Sequence, residues 1–193
     1  MEDQELVWLD GARAGDTAAF ARLVEAYQRP VYNLSYRMLH NSGEAEDAVQ
    51  ETFLRVYTKL PTYRRQYKLS SWILSIASHY CIDRLRRRKV TWLPLDDEPT
   101  ASAIPSPEDG PERAYLRSEA NREVQEMVDR LGPSYRLPLI LRYWCDLSYA
   151  EIAEILDLSV QAVKSRLHRA RLQLADGSQA EAPLIPIPST STR

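Results

Sequence analysis

Residues 148–174, SYAEIAEILDLSVQAVKSRLHRARLQL, decide how the chain folds. Ser148 followed three residues later by Glu151 is the pattern of a capping box: hydroxyl and carboxylate each satisfy a backbone N–H that a first helical turn leaves without a partner. A helix is therefore expected to start at Tyr149. Ile152, Ala153, Ile155 and Leu156 fall on one face of it. Asp157, Leu158 and Ser159 interrupt the run, and Ser159 can cap a second helix with inward positions Val160, Val163, Leu167, Ala170 and Leu174. Two short helices and a tight turn, with the small Ala153 allowing close approach, are the pattern of a helix-turn-helix.

The outward positions of the second helix point to a ligand. Ser159, Gln161, Lys164, Ser165, Arg166, His168, Arg169 and Arg171 lie away from the apolar stripe or along its edge, and no acid occurs between residues 159 and 174. Polar and basic side chains near the start of such a helix can reach base edges in a major groove, and cations further along can hold phosphates. A solvated helix face would also carry cations. Here the acid-free face coincides with a capped two-helix unit, which favours DNA.

Net charge gives the opposite impression. The 193 residues carry 25 basic and 27 acidic side chains, a formal charge of -2, where nucleic-acid binders usually show a basic excess. The charge is divided into blocks. Residues 1–54 hold four basic and ten acidic side chains, 55–89 ten basic and only Asp83, 95–119 two basic and seven acidic, and 159–174 four basic and none acidic. Local field, not the total, decides what a surface attracts.

The second basic block lies in helical sequence. The spacing predicts helices over 16–40, with Asp16 as N-cap and a bend or break at Pro30, and over 44–60, stopped by Pro61. A loop rich in Tyr and Arg follows from Thr62 to Leu69. A helix opened by Ser70 or Ser71 then runs through Trp72, Ile76 and Tyr80 into Arg84–Lys89. Residues 55–89 thus interleave ten cations with Tyr57, Tyr63, Tyr67, Trp72 and Tyr80, a mixture suited to single-stranded nucleic acid, where bases stack and phosphates need neutralising. The loop from Tyr63 to Ser71 is the candidate pocket for an unstacked base.

The remaining segments set the organisation. Residues 93–112 carry several prolines among acids and cannot bury a core, so they read as an extended linker. Helical periodicity then continues to about Leu174, and the Pro-bearing 177–193 is expected to be disordered. The chain reads as all-α, with domains over 1–92 and 113–176. No apolar run is long enough to span a membrane, the acidic start MEDQELVWLD lacks a signal-peptide pattern, and Cys81 and Cys145 have no metal-ligand spacing. A cytoplasmic protein with reduced, core-filling cysteines and no cofactor is expected.

Three stretches together, AEDAVQETFLRVY (45–57), KLSSWILSIASHYCIDRLRRRK (68–89) and SYRLPLILRYWCDLSYAEIAEILDLSVQAVKSRLHRARLQL (134–174), resemble the extracytoplasmic-function sigma factors of the sigma-70 family. The resemblance covers about 160 residues in the family's order. It implies a sigma region 2 followed by a region 4, core RNA polymerase and promoter DNA as partners, and a sequestering anti-sigma factor, often membrane-bound. It implies no small-molecule substrate and no enzymatic reaction.

The same resemblance assigns residues. Asp47, Gln50, Glu51 and Phe53 match the pattern that docks on the clamp coiled coil of the largest polymerase subunit, the flap being a second polymerase contact. Lys68, Ser70, Ser71 and Trp72 would hold a flipped base of the minus-ten element. Ser75, Ser78, His79 and Asp83 would lie along the exposed side of the following helix, with Arg84, Arg86, Arg87 and Arg88 on phosphates. The helix from Val160 would read the minus-thirty-five duplex. His79 stands where the family commonly has Asn, and Gln161-Ala162 where it often has Gly-Thr, which bears on base preference. Two other readings remain open: a stand-alone helix-turn-helix regulator, which leaves the aromatic-basic strip unexplained, and a nucleic-acid enzyme, which would need paired carboxylates where Asp83 stands alone.

Overall fold

The computed structural model describes residues 2–90 and 122–176. Among the described residues all regular structure is helical: α1 (Glu2–Arg13), α2 (Thr17–Leu39), α3 (Ser42–Lys59), a single 3-10 turn over Leu60–Thr62, α4 (Leu69–Val90), α5 (122–129), α6 (Pro133–Tyr143), α7 (Tyr149–Leu156) and α8 (Val160–Asp176). The all-α expectation holds. The linker at 93–112 and the tail at 177–193 lie outside the described residues.

Local chemistry accounts for most boundaries. The Asp16 carboxylate accepts from the N–H of Ala18 at 2.8 Å and caps α2, as its sequence predicts. Asn41 caps α3 through the Glu44 N–H at 2.8 Å. The capping box at α7 is present in both directions, with Glu151 accepting from the Ser148 N–H at 2.8 Å and the Ser148 hydroxyl accepting from the Glu151 N–H at 3.2 Å. Asp157 takes a left-handed conformation, φ 50°, that ends α7. The Ser159 hydroxyl then accepts from the Ala162 N–H at 3.1 Å to start α8.

Two expectations need correction. Pro30 does not break α2, which runs on to Leu39. An interior proline costs about 3 kcal/mol. Val31, Leu34 and Met38, all fully buried beyond it, each return about 1.5–3 kcal/mol on burial, so tertiary packing wins. Val160 is 41% exposed rather than inward, because the buried stripe of α8 is Val163, Leu167 and Ala170.

Helices α1–α4 and α5–α8 share one continuous apolar core: Leu23, Leu34, Phe53, Val56, Ile73 and Cys81 come from the first group and Leu137, Ile140, Ile152, Leu156 and Val163 from the second. Both thiols are free; burial pushes each up to about 12, so they pack as small apolar groups. Among the described residues no helix is long and apolar enough to cross a membrane.

Beside this shared core, a polar seam also runs between the two helical groups. Arg37 at the end of α2 lies over the Trp144 ring at 4.1 Å and donates to the Gln125 side-chain oxygen at 3.3 Å. Arg136 donates to the Met38 carbonyl at 2.9 Å and lies 3.3 Å from Asp129, which also pairs with His40 at 2.7 Å. At the other end Lys68 reaches Glu151 at 3.0 Å.

Candidate nucleic-acid interface

The outward face of α8 is the simplest part of the site. Gln161, Lys164, Ser165 and His168 follow one another at helical spacing and are all exposed, with Arg169 and Arg171 exposed beyond them. Among the described residues, no ion pair involves Lys164, Arg169 or Arg171. The helix start adds partial positive charge at the end where Gln161 sits. Behind this face, α7 packs Ile152, Ala153 and Leu156 against α8, fixing its direction. Arg166 does not belong to the face. It is 8% exposed, on the same side as Val163 and Ala170, and burial lowers its pKa against the opposing influence of Tyr135. Arg166 is a packing residue.

The 60–68 segment and the first turn of α4 form the second part. Tyr63 is buried, and its ring centroid lies 4.9 Å from that of Trp72 at an interplanar angle of 47°. The Tyr63 hydroxyl donates to the Tyr67 carbonyl. Tyr67 and Lys68 are exposed, Ser70 and Trp72 half-buried. Lys68 is engaged with Glu151 across the seam.

Helix α4 is buried on more of its circumference than an ordinary surface helix, because it packs on both α2 and α3 and touches α7. This corrects two assignments: Ser71 is 5% exposed and Ser78 is 1% exposed. They stand seven residues apart, two turns, on the side of Leu74 and Cys81, so neither faces a ligand. Ser75 and His79 are half-buried, the Ser75 hydroxyl donating to the Trp72 carbonyl at 2.7 Å and His79 Nδ1 lying 2.6 Å from the Ser75 carbonyl.

The basic end of α4 is partly committed to the fold. Arg84 and Arg88 both reach Glu44 of α3, at 3.4 Å and 2.6 Å, and Arg88 also donates to the Leu39 carbonyl at 3.1 Å. These contacts tie α4 to the α2–α3 junction. Arg86 lies 3.7 Å from the exposed Asp83, and Arg87 is exposed.

On α3, Asp47 and Gln50 are exposed, and Glu51 is half-buried with Arg55 at 2.8 Å. Phe53 is only 6% exposed and belongs to the core, so it cannot anchor a partner from the surface. Its neighbour Leu54 is 64% exposed and follows Asp47, Gln50 and Glu51 at helical spacing. The periodicity of 45–60 contains this distinction, since Phe53 continues the Ala45, Val49, Val56 stripe and Leu54 does not. Arg13, Glu44 and Arg37 carry no local signal in the sequence, because their partners lie far along the chain; Asp129 and Arg136 pair with each other locally but also reach His40 and the Met38 carbonyl.

Comparison with known proteins agrees with this arrangement. Residues 23–91 match the model of Sigma-70 region 2, and residues 121–174 that of Sigma-70, region 4. The ECF RNA polymerase sigma factor SigW of Bacillus subtilis is 37% identical over 166 residues, covering 82% of this chain and 88% of its relative. The RNA polymerase sigma-H factor of Pseudomonas aeruginosa is 33% identical over 182 residues, covering 88% and 90%. In fold, the chain is similar to CnrH, solved in complex with the cytosolic domain of CnrY, with a TM-score of 0.67 at 21% identity over 90% of this chain and 96% of that one. It is also similar to the sigma factor RpoE of Bartonella quintana, solved with the anti-sigma factor NepR, with a TM-score of 0.63 at 18% identity over 81% and 94%. Region 2 followed by region 4, with relatives above 30% identity along most of their length, makes this chain a member of the extracytoplasmic-function sigma factors of the sigma-70 family.

Proposed function

We propose that this sigma factor divides promoter recognition between the two basic surfaces just described. Exposed Gln161, Lys164, Ser165 and His168 on α8 read the edges of a minus-thirty-five duplex, while Arg169 and Arg171 hold phosphates. The 63–72 segment captures an unstacked minus-ten base beside Trp72. Arg86 and Arg87, with the exposed parts of Arg84 and Arg88, follow the single strand. Capture stabilises the melted state and offsets an unstacking cost of a few kcal/mol per base. Asp47, Gln50 and Glu51 with Leu54 dock on a basic partner helix of core RNA polymerase, acid meeting base around an apolar contact. The flap is the second polymerase contact, made by the 113–176 domain.

The observation that carries this reading is the α7–α8 unit, in which a doubly capped helix backs an acid-free, fully exposed polar face. The protein performs no chemical reaction of its own in this scheme; it works in the cytoplasm, and an anti-sigma factor that covers its polymerase-docking and DNA surfaces holds it inactive. The test is run-off transcription with purified chain and core RNA polymerase on a promoter library. Specific start sites that depend on the chain are expected. No complex with core polymerase and no defined start would overturn the reading.

A further inference from the structure

Helix α1 precedes the matched region 2, which begins at residue 23, yet its last turn is wired into the candidate base pocket. Arg13 Nε donates to the Leu60 carbonyl at 3.1 Å, and its Nη2 donates to the Tyr63 carbonyl. The guanidinium carbon lies 5.7 Å from the centroid of the Tyr63 ring, the ring that packs on Trp72. One turn earlier on α1, Asp10 pairs with Arg65 in the middle of the loop. The loop's own contacts complete the arrangement: the Tyr67 N–H donates to the Arg64 carbonyl at 3.3 Å and the Tyr63 hydroxyl to the Tyr67 carbonyl.

We propose that Arg13 is a positioning residue for minus-ten recognition, holding the 60–68 segment and, through Tyr63, the Trp72 ring in the shape that receives an unstacked base. This rests on the reading of 63–72 as the base-capturing loop. The alternative is that Arg13 merely fastens α1 to the domain. That fastening is already supplied elsewhere. Leu9 is fully buried and Ala12 is 5% exposed, and α1 comes so close to α2 that a Cβ on Gly11 would stand 2.8 Å from the Ala19 Cβ. With α1 seated by those contacts, Arg13 directs two donors at carbonyls on the two sides of the loop entry. A planar guanidinium can bridge two such acceptors at fixed geometry, whereas an ammonium cannot hold both in one plane. The surface it organises is the one that carries exposed Tyr67 and Lys68 and half-buried Trp72. Pre-ordering a loop in its bound shape removes an ordering cost from every binding event.

The experiment uses the holoenzyme, assembled from the full chain and core RNA polymerase. DNA is selected by the wild-type holoenzyme from a library randomised in both promoter elements and premelted across the minus-ten segment, and transcripts are sequenced. For Arg13→Ala, base discrimination at one minus-ten position should fall about tenfold, the size of a single base-reading contact. Minus-thirty-five preference and affinity for core polymerase should stay as in wild type. Arg13→Lys should restore discrimination only partly. Tyr63→Phe, which keeps the ring but removes the donor to Tyr67, should weaken discrimination at that same position and covers the case in which Arg13→Ala fails to fold. A purely fastening role lowers yield or thermal stability and leaves base preference intact. Wild-type discrimination in a folded Arg13→Ala overturns the inference, and where Arg13→Ala fails to fold, wild-type discrimination in Tyr63→Phe does so. A wild-type holoenzyme with no base preference in the minus-ten segment would instead overturn the assignment of 63–72.

Discussion

The basic end of α4 and the outward face of α8 carry the same kind of side chain under opposite conditions. On α4, Arg84 and Arg88 converge on Glu44, whose side chain is 17% exposed, and Arg86 approaches Asp83. On α8, Lys164, Arg169 and Arg171 are exposed with no acid partner among the described residues. One surface is neutralised in part by the protein itself, and the other leaves its charge to be neutralised by a ligand. The difference fits the two DNA forms proposed as ligands. A duplex has fixed phosphate spacing and can be met by a ready row of cations. A single strand is flexible, and a region that must not seize it at random gains from cations held in internal pairs until polymerase and the captured base supply the rest.

The largest effect expected from this contrast is on α8. Replacing Lys164, Arg169 and Arg171 together by alanine should nearly abolish duplex binding at physiological salt, and the dependence of log affinity on log salt should become shallower by about 0.9 for each phosphate no longer neutralised. Binding to a single-stranded oligonucleotide should be almost unchanged. Titrations of both DNA forms at several salt concentrations measure this. An unchanged duplex slope would remove α8 from the phosphate-contacting surface.

The contrast between the two surfaces is only half legible in the sequence. The capping box at Ser148, the turn at Asp157 and the acid-free run after Ser159 are local signals, each decided within four or five residues. The same holds for Asp16 and for the stop at Pro61. The α4 surface depends on partners forty or more residues away: Glu44 for Arg84 and Arg88, Arg13 for Tyr63. Charge counting gives residues 55–89 nine net positive charges and cannot tell a cation facing solvent from one spent on the fold. The same limit puts Ser71, Ser78 and Arg166 in functional positions, whereas the apolar stripe of 45–56 already marks Phe53 as core. Each lies within a few residues of an exposed polar group, and only the burial pattern of a helix packed on several sides separates them. Helix α1 has no strong cap to announce it.

A smaller effect separates the fold role of the α4 arginines from their proposed DNA role. Glu44→Gln removes the shared acid while keeping size and hydrogen-bonding capacity. Arg84 and Arg88 are 42% and 40% exposed, so solvent screens both pairs and the loss of stability should be only about 1 kcal/mol. Single-stranded DNA should bind more tightly at low salt, with the salt slope steeper by up to about 1.4 for two added phosphate contacts. Urea unfolding and oligonucleotide titration give the two numbers. If stability falls while the slope stays put, these arginines serve the fold alone, and the single strand is held by Arg86 and Arg87.

The smallest effect lies at the seam between the two helical groups and concerns Glu151. Burial pushes its carboxyl up, but the hydrogen bonds from Ser148 and the pairing with Lys68 outweigh that and hold it below its ordinary value. A depressed carboxyl stabilises the fold above its ordinary range, and that contribution is lost as pH falls through the depressed value. Asp129 acts in the opposite sense. Burial raises its pKa against Arg136, His40 and Gln125, so its contribution to stability declines as pH rises through that raised value. Glu151 and Asp129 therefore contribute slopes of opposite sign to stability in acid. Ser148→Ala should cost about 1 kcal/mol at neutral pH as a lost cap. Glu151→Gln should cost less, since Lys68 is 65% exposed and its ion pair is screened. The difference between Glu151→Gln and wild type should shrink as pH drops below the ordinary carboxylate range. Urea midpoints of both proteins followed from about pH 3 to 7 measure this. A pH-independent gap between Glu151→Gln and wild type would mean that the carboxylate charge is not what joins the α7 cap to Lys68.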